Sequence, residues 1–172
     1  MALSTRFWPL IQEVAAKHSF DPILIEAMVV QESSGNTDAF RFEPDFWNRY
    51  MKGKPEHVGK NPRRVSSSYG LMQVMYQVAI ERGFPASLAP ESLFIPELGL
   101  EWGCKHLSYL RAWTSTLAVD EATRKLAMIA AYNGGKGGND PTKYSPLRNA
   151  KYAREVLAKA SILAAERRPT GA

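Results

Sequence analysis

Cysteine is almost absent from this chain of 172 residues, in which Cys104 is the only one. A single cysteine excludes an intrachain disulfide, and a lone cysteine is more often a small buried hydrophobe than a nucleophile. Long apolar runs are also missing, because the best one, residues 23–30, is interrupted by Glu26. That run falls well short of the ~20 apolar residues that cross a membrane. We therefore expect no membrane span and no stable membrane insertion.

Signals for export and for metal binding are lacking as well. The opening residues, MALSTRFWPLIQEV, contain no uninterrupted apolar core and no small-residue cleavage site. We expect a protein that is made in the cytoplasm without a signal peptide. The histidines and the cysteine do not have the spacing of metal ligands, so the sequence predicts no metal and no cofactor. These residues are His18, His57, His106 and Cys104.

The chain does have a surplus of basic residues within an ordinary globular composition. Its 22 Lys and Arg exceed its 17 Asp and Glu, which gives a net charge of +5. This charge favours an anionic partner such as nucleic acid, a membrane surface or a bacterial wall polymer. A basic surface without a specific role explains the charge equally well. The 45% hydrophobic content and the length fit a single domain over residues 1–172.

The spacing of apolar residues predicts helices joined by loops, with no series of alternating strands. Asp21-Pro22 and Asp120 mark helix starts, and Gly83 marks a helix end. The predicted helices cover about 5–18, 22–32, 68–82, 96–114, 121–132 and 149–166. The sequence predicts that residues 36–68 form a long irregular segment, which is either functional or disordered and is long enough to contain a small β-hairpin. The predicted fold class is therefore all-α.

The second predicted helix places a carboxylate where its pattern calls for a hydrophobe. Ile25, Met28, Val29 and Glu32 are spaced at i, i+3, i+4 and i+7, so they share one face. Apolar surroundings and the helix C-terminal dipole both disfavour the ionised form of Glu32, which suits a general acid. The alternative is a helix-terminal Glu that has turned into solvent. The small residues SSGN that follow favour a tight exit in front of the carboxyl group.

Two further segments occur in order after Glu32-Ser33: SSSYGLMQVM, residues Ser66–Met75, and AAYNGG, residues Ala130–Gly135. With these three elements the chain resembles the soluble lytic transglycosylases, the goose-lysozyme-like branch of the lysozyme superfamily. The resemblance covers about Val14–Tyr152, most of the chain. It implies a mainly helical lysozyme-like fold.

The resemblance also assigns roles to individual residues. Glu32 matches the family's catalytic acid, and Tyr132 matches a tyrosine that hydrogen-bonds near the catalytic carboxyl group. Leu71 and Met72 are expected to serve packing around the site. The positions that match substrate-binding residues of the family are Ser33, Gln73, Met75, Tyr132 and Asn133.

The implied function is that of a peptidoglycan lytic transglycosylase. Such an enzyme cleaves the MurNAc–GlcNAc β-1,4 bond without water and forms 1,6-anhydroMurNAc, with one Glu as general acid and then base. The expected partner is the peptidoglycan glycan strand rather than nucleic acid, and we expect a monomer. The expected setting is a phage endolysin or a virion-associated lysin, which reaches the cell wall through a holin or as part of the virion.

The sequence departs from the family pattern in ways that keep alternatives open. A long insertion separates Glu32 from the Gly-Leu-Met-Gln element, and Tyr76 stands where the family has proline. Within the insertion, Glu43 or Asp45 would be a second carboxylate for goose-type hydrolysis, with Glu43 the better supporting residue. Otherwise Arg41 and Glu43 form a structural ion pair. A non-catalytic glycan-binding or phage structural protein is the third alternative.

Aromatic residues crowd the same insertion. Their rings either stack on sugars or form a small core that holds the insertion in place. They are Phe40, Phe42, Phe46, Trp47 and Tyr50. Trp102 and Trp113 are instead predicted to be core residues, because they share helical spacing with Leu107 and Leu110.

Overall fold

Helices account for most of the chain in the computed structural model, which describes residues 2–168. The α-helices are α1 (Trp8–Lys17), α2 (Pro22–Ser33), α3 (Pro44–Phe46), α4 (Pro62–Val65), α5 (Tyr76–Glu81), α6 (Pro96–Ser115), α7 (Glu121–Gly134) and α8 (Ala150–Glu166). A π-helical turn covers Trp47–Met51, and 3-10 turns cover Pro55–His57, Pro90–Phe94 and Lys136–Gly138. The strands are β1 (Phe40–Phe42), β2 (Ser67–Tyr69) and β3 (Val74–Met75). These elements confirm the predicted mainly helical fold class.

The elements group into two compact units. The terminal unit contains the residues up to Gln31 and those from Cys104 onward, and the central unit is Glu32–Gly103. Most of α1, α2, α7 and α8 therefore belongs to the terminal unit, whereas the sheet and the short helices belong to the central one.

The terminal unit has a helical core in which α7 packs against α8. Its fully buried apolar side chains include Ile11, Ile25, Met28, Leu107, Ile129, Val156 and Leu163. Asp120 caps α7, since its side chain accepts a hydrogen bond of 2.9 Å from the backbone N–H of Thr123. Cys104 is also fully buried, which confirms that it is a small hydrophobe of the core.

A buried ion pair lies inside the terminal unit. Glu26 is 0% exposed, although it stands in the middle of an otherwise apolar stretch of α2. Its carboxylate accepts hydrogen bonds from Arg167 Nη2 at 2.6 Å and Nε at 3.1 Å. The backbone N–H and the hydroxyl of Thr5 also donate to it, at 2.7 and 3.0 Å. The Glu26 charge is therefore fully compensated, as a buried carboxylate requires.

The central unit contains a small antiparallel sheet with the strand order β1-β2-β3. Phe40 lies opposite Tyr69, and Ser68 lies opposite Met75. This sheet is one strand larger than the predicted hairpin, and only β1 lies wholly within residues 36–68. The hairpin proper joins β2 to β3 through the Gly-Leu-Met-Gln element.

The predicted helix over residues 68–82 is wrong in its first half. The chain turns there instead, with left-handed backbone at Gly70 (φ 69°) and Gln73 (φ 45°), and α5 begins only at Tyr76. Leu71 and Met72 are buried at 1% and 0% exposure inside this turn. Their helix-like spacing therefore reflects burial of a turn against the core and not one face of a helix.

Gly70 supplies a stability prediction for this turn. A Cβ atom at Gly70 would overlap the backbone carbonyl oxygen of Leu93, and the residue also has a positive φ. We expect Gly70→Ala to lower the free energy of unfolding by about 3 kcal/mol, because both strain and a backbone shift are required. Gly53 has the same kind of φ but open space around it, so Gly53→Ala should cost only about 1 kcal/mol. Urea unfolding of the two variants measures the difference, and equal costs would contradict the role of the Leu93 carbonyl.

The insertion folds into an ordered structure with its own contacts. The Trp47 ring lies 6.2 Å from the His57 ring, and the Phe46 ring lies 5.1 Å from Tyr50, measured between centroids. Phe40 and Tyr50 are nevertheless 41% and 51% exposed. Phe42, Phe46 and Trp47 are half-buried, so none of the five aromatic residues is fully buried in a core. The buried residues of this segment include Met51, His57 and Val65.

Candidate active site

Glu32 lies at the last turn of α2, where the buried part of the helix ends. Ile25, Met28 and Val29, which share its face, are all 0% exposed, whereas Glu32 itself is half-buried. Leu24, Ala27 and Val30 are buried as well, so α2 is buried all round before Glu32 and not only on the predicted apolar face.

Ser33 connects the end of α2 to the Gly-Leu-Met-Gln element within the central unit. Its hydroxyl donates a hydrogen bond of 2.8 Å to the backbone carbonyl of Leu71. The same oxygen accepts a hydrogen bond of 3.2 Å from the backbone N–H of Gly35. Ser34 and Gly35 both have left-handed backbone, at φ 53° and 77°, which makes the tight exit expected from SSGN. Ser33 therefore positions the first two motifs against each other.

Gln73 is held by two hydrogen bonds in the turn between β2 and β3. Its Nε2 donates to the carbonyls of Ala39 at 2.8 Å and Gly70 at 3.1 Å. These bonds use both amide hydrogens, so a ligand would be bound through the amide oxygen. Met75 is half-buried on β3 and paired with Ser68.

Tyr132 and Asn133 lie in the last turn of α7, in the terminal unit. Tyr132 is half-buried, with its ring centroid 5.3 Å from that of His106. Asn133 is exposed, and its amide oxygen accepts a hydrogen bond of 2.7 Å from Asn149 Nδ2. The third motif thus ends in a polar network that continues into the glycine-rich loop.

Asn139 is the buried centre of that network, at 0% exposure. Its Nδ2 donates to the carbonyl of Gly135 at 2.8 Å and to Asn149 Oδ1 at 3.1 Å. Its own Oδ1 accepts from the backbone N–H of Asn149 at 2.9 Å. Asparagine side chains therefore fix both ends of the segment from Asn133 to Asn149, in which Leu147 is also buried.

Removing the Asn139 side chain should destabilise this loop measurably. Asn139→Ala removes the hydrogen bonds to the Gly135 carbonyl, the Asn149 backbone N–H and Asn149 Oδ1, so we expect a loss of about 2 kcal/mol in unfolding free energy. Asn48→Ala, at an exposed position of the insertion, serves as the control and should change it by less than about 0.5 kcal/mol. Chemical unfolding checks both values, and equal effects would argue against the network.

A cluster formed by Lys136 with two aromatic side chains of α6, Tyr109 and Trp113, was not predicted from the sequence. The Lys136 ammonium donates a hydrogen bond of 2.6 Å to the Tyr109 hydroxyl, and it lies 4.6 Å from the Tyr109 ring centroid. It also lies 5.9 Å from the ring centroid of Trp113, which is only half-buried. Trp102 is a core residue as predicted, at 6% exposure, but Trp113 instead forms part of this surface.

Glu43 forms the ion pair with Arg41 that was considered as the structural alternative. The backbone of Glu43 is also held, because its N–H donates to the Ser66 carbonyl and its carbonyl accepts from the Ser66 hydroxyl, each at 2.9 Å. The Glu43 side chain keeps 30% exposure, and Asp45 is exposed. A supporting role of Glu43 in the reaction stays a prediction.

The pKa values of Tyr69 and Glu91, both in the central unit, are shifted by their surroundings. Burial raises the pKa of Tyr69 to about 12, and its hydroxyl donates to the Arg64 carbonyl at 2.7 Å. The hydrogen bonds from Arg64 hold the pKa of Glu91 below its usual value. Within residues 2–168, His, Cys, Asp and Glu side chains form no group of three that would hold a metal ion. The helices of that same stretch are too short or too polar to cross a membrane.

Comparison with known proteins identifies the family. The model described as "Transglycosylase SLT domain" matches residues 9–155. The membrane-bound lytic murein transglycosylase C of Photorhabdus laumondii is 28% identical over 137 residues, which are 77% of this chain and 32% of that protein. The protein of the same name from Histophilus somni strain 2336 is 26% identical over 137 residues, 77% of this chain and 31% of that protein. The chain thus spans about one third of the length of these curated relatives. The family match covers most of the chain and all three motifs, so this protein belongs to the transglycosylase SLT domain family, as the motifs predicted.

Proposed function

We propose that the chain is a peptidoglycan lytic transglycosylase. The family match over residues 9–155 is the observation that carries this proposal. The names of the two relatives, both lytic murein transglycosylases, support the same reaction and the same polymer. The half-buried carboxylate of Glu32 at the end of a buried helix supports a single acid as the centre of the chemistry.

In the proposed reaction Glu32 first acts as a general acid. It gives its proton to the glycosidic oxygen as the bond between that oxygen and C1 of MurNAc breaks. The C6 hydroxyl of the same MurNAc then attacks C1, and the ionised Glu32 accepts the hydroxyl proton. The products are a free GlcNAc hydroxyl and a 1,6-anhydroMurNAc end, so no water is consumed. The nucleophile belongs to the substrate, and its proximity replaces a second catalytic residue.

The remaining motif residues are proposed to bind the glycan. Gln73 would accept a hydrogen bond from a sugar hydroxyl through its amide oxygen, since its hydrogens are used by the backbone. Met75 would contribute an apolar contact, and the glycan-binding roles of Tyr132 and Asn133 stay predictions from the resemblance. Ser33 acts indirectly, because its hydroxyl is bonded to the Leu71 carbonyl. We propose that it is a positioning residue.

Mass spectrometry of digested peptidoglycan tests the proposal. Purified sacculi treated with the protein should release muropeptides that are lighter by one water than hydrolysis products. Reducing-end fragments would instead establish a goose-type hydrolase and direct attention to Glu43 and Asp45. Binding of sacculi without any released fragment would overturn the enzyme proposal and leave a glycan-binding or phage structural role.

For the biological setting we propose a phage endolysin or a virion-associated lysin that acts on the cell wall, the setting predicted from the sequence. Such a protein is encoded beside phage holin or structural genes. The neighbourhood of the coding region tests this proposal. A location in a bacterial chromosome far from any phage gene would contradict it, without affecting the proposed reaction.

A further inference from the structure

Three side chains of the insertion form a surface that the proposed reaction does not use. Phe40 and Phe42 are two residues apart on β1, so their rings share one face of the sheet. The Arg63 guanidinium carbon lies 5.9 Å from the Phe40 ring centroid and 5.5 Å from that of Phe42. Phe40 is 41% exposed, and Arg63 is exposed as well. We name these three residues the Arg63 platform.

The Arg63 platform is held in place by contacts with neighbouring residues. The Phe40 ring meets Tyr69 edge-on, with centroids 5.3 Å apart and an angle of 72° between the planes. Tyr69 is 1% exposed and fixed by its hydrogen bond to the Arg64 carbonyl. The backbone N–H of Arg63 donates to the side chain of Asn61, which caps α4, at 3.0 Å. A surface fixed in this way loses little conformational entropy when a ligand binds.

The net charge of the segment that carries the platform favours an anionic ligand. Residues 39–65 contain seven Lys and Arg but only three Asp and Glu, a net +4 within a chain whose total is +5. Two of these cations are held by carboxylates, Arg41 by Glu43 and Arg64 by Glu91. The contacts described for the exposed Arg63 guanidinium are with the two phenylalanine rings, and a ring contact does not use its hydrogen-bond donors.

The combination of groups selects one chemical class of ligand. An exposed aromatic ring packs against the apolar face of a sugar, and a guanidinium binds a carboxylate through two parallel hydrogen bonds. We propose that the Arg63 platform is a docking site for a carboxylate-bearing glycan strand, with Phe40 against a sugar ring and Arg63 on a neighbouring carboxylate. The identification of this strand as peptidoglycan rests on the proposed function.

The platform is continuous with the candidate substrate residues of the central unit. Ala39, which precedes Phe40, accepts a hydrogen bond of 2.8 Å from Gln73 Nε2. The backbone N–H of Gly70 donates to the same carbonyl at 2.9 Å. A strand docked on Phe40 would therefore lie next to the turn that carries Gln73, which gives the insertion a role in holding the polymer.

Binding to purified sacculi tests this docking site. All proteins carry Glu32→Gln, so that the polymer remains intact during the measurement. Phe40→Ala and Arg63→Gln should each weaken binding about tenfold, the loss expected for one charge-assisted hydrogen bond or one buried aromatic contact. Arg49→Gln is the matched control, because Arg49 is another exposed arginine of the insertion that lies over an aromatic ring, Tyr50. It removes the same charge and should change binding less than twofold.

Sacculi with amidated carboxylates separate the contribution of Arg63 from that of Phe40. On this polymer Arg63→Gln should bind like the parent protein, whereas Phe40→Ala should still bind more weakly. The proposal is overturned if both variants bind intact sacculi as tightly as the parent, or if Arg49→Gln is equally weak. It is also overturned if Arg63→Gln loses as much binding on amidated sacculi as on intact sacculi.

Two further measurements keep folding and catalysis out of the comparison. Thermal unfolding identifies any variant that is not folded. If Arg63→Gln is not folded, Arg63→Lys replaces it, and binding should then weaken about threefold, because lysine keeps the charge but lacks the two parallel N–H donors of a guanidinium. If the parent protein, which carries Glu32→Gln, binds sacculi but the unsubstituted chain releases no fragments, the proposed function is refuted and the docking site is retained. Release of fragments with unchanged binding by the platform variants would refute the docking site alone.

Discussion

Glu32→Gln is expected to lower the rate of peptidoglycan cleavage by a factor of about 10² to 10⁴, the usual contribution of a general acid. The amide keeps the shape of the side chain but has no proton to give to the leaving oxygen. Release of soluble muropeptides from purified sacculi measures the rate. Glu13→Gln, an exposed carboxylate on α1, is the control and should retain full activity.

The half-buried position of Glu32 makes this result informative only for a folded variant. Thermal unfolding of Glu32→Gln should therefore be measured beside the rate. A folded variant that cleaves as fast as the unsubstituted chain would show that Glu32 is not the acid. A carboxylate of the insertion, Glu43 first, would then be the next residue to replace.

Arg167→Ala is expected to lower the free energy of unfolding by about 3–5 kcal/mol, the cost of leaving one partner of a buried ion pair alone. Glu26, which is 0% exposed in the unsubstituted chain, would lose both hydrogen bonds from Arg167 and keep those from Thr5. The loss also includes the packing of the Arg167 guanidinium on the Trp8 ring, 4.3 Å from its centroid. For a chain of this length the midpoint of thermal unfolding should fall by about 10 °C.

Two comparisons show whether the lost stability comes from the unpaired charge. Arg154→Ala removes an exposed arginine from the same helix and should change stability by less than about 0.5 kcal/mol. The double variant Glu26→Leu with Arg167→Met replaces the pair by apolar groups and should recover most of the loss. If the stability losses of the two single substitutions simply add in the double variant, the two side chains do not act as a pair.

Local signals in the sequence predicted the long helices well. Asp120 fits the start of α7 because its side chain satisfies a backbone N–H that the helix leaves open. Pro22 begins α2 for the related reason that it has no N–H to satisfy. Glu32 stands out in the sequence because a carboxylate follows the apolar spacing of Ile25, Met28 and Val29, and its role as the acid stays a prediction. The starts of α2 and α7 depend on residues within one turn of each helix.

Features that depend on distant residues could not be predicted in the same way. The sequence predicts a helix where the chain turns at Gly70, because burial of Leu71 and Met72 gives apolar spacing whatever the backbone does. Glu26 appears in the sequence only as an interruption of an apolar run, since its partner Arg167 lies 141 residues away. The Ser33 hydroxyl likewise finds its acceptor, the Leu71 carbonyl, 38 residues along the chain. In a single sequence, the two members of such a pair are visible only as isolated polar residues.

Digestion of sacculi in water labelled with oxygen-18 tests the proposed reaction most directly. The C6 hydroxyl of MurNAc is the proposed nucleophile, so new chain ends should be 1,6-anhydroMurNAc without any label, and the Glu32→Gln protein should produce none of them. The same variant, incubated in labelled water, corrects for exchange at reducing ends that already exist. New ends that carry one oxygen-18 each would show that water attacks C1, and would contradict a lytic transglycosylase.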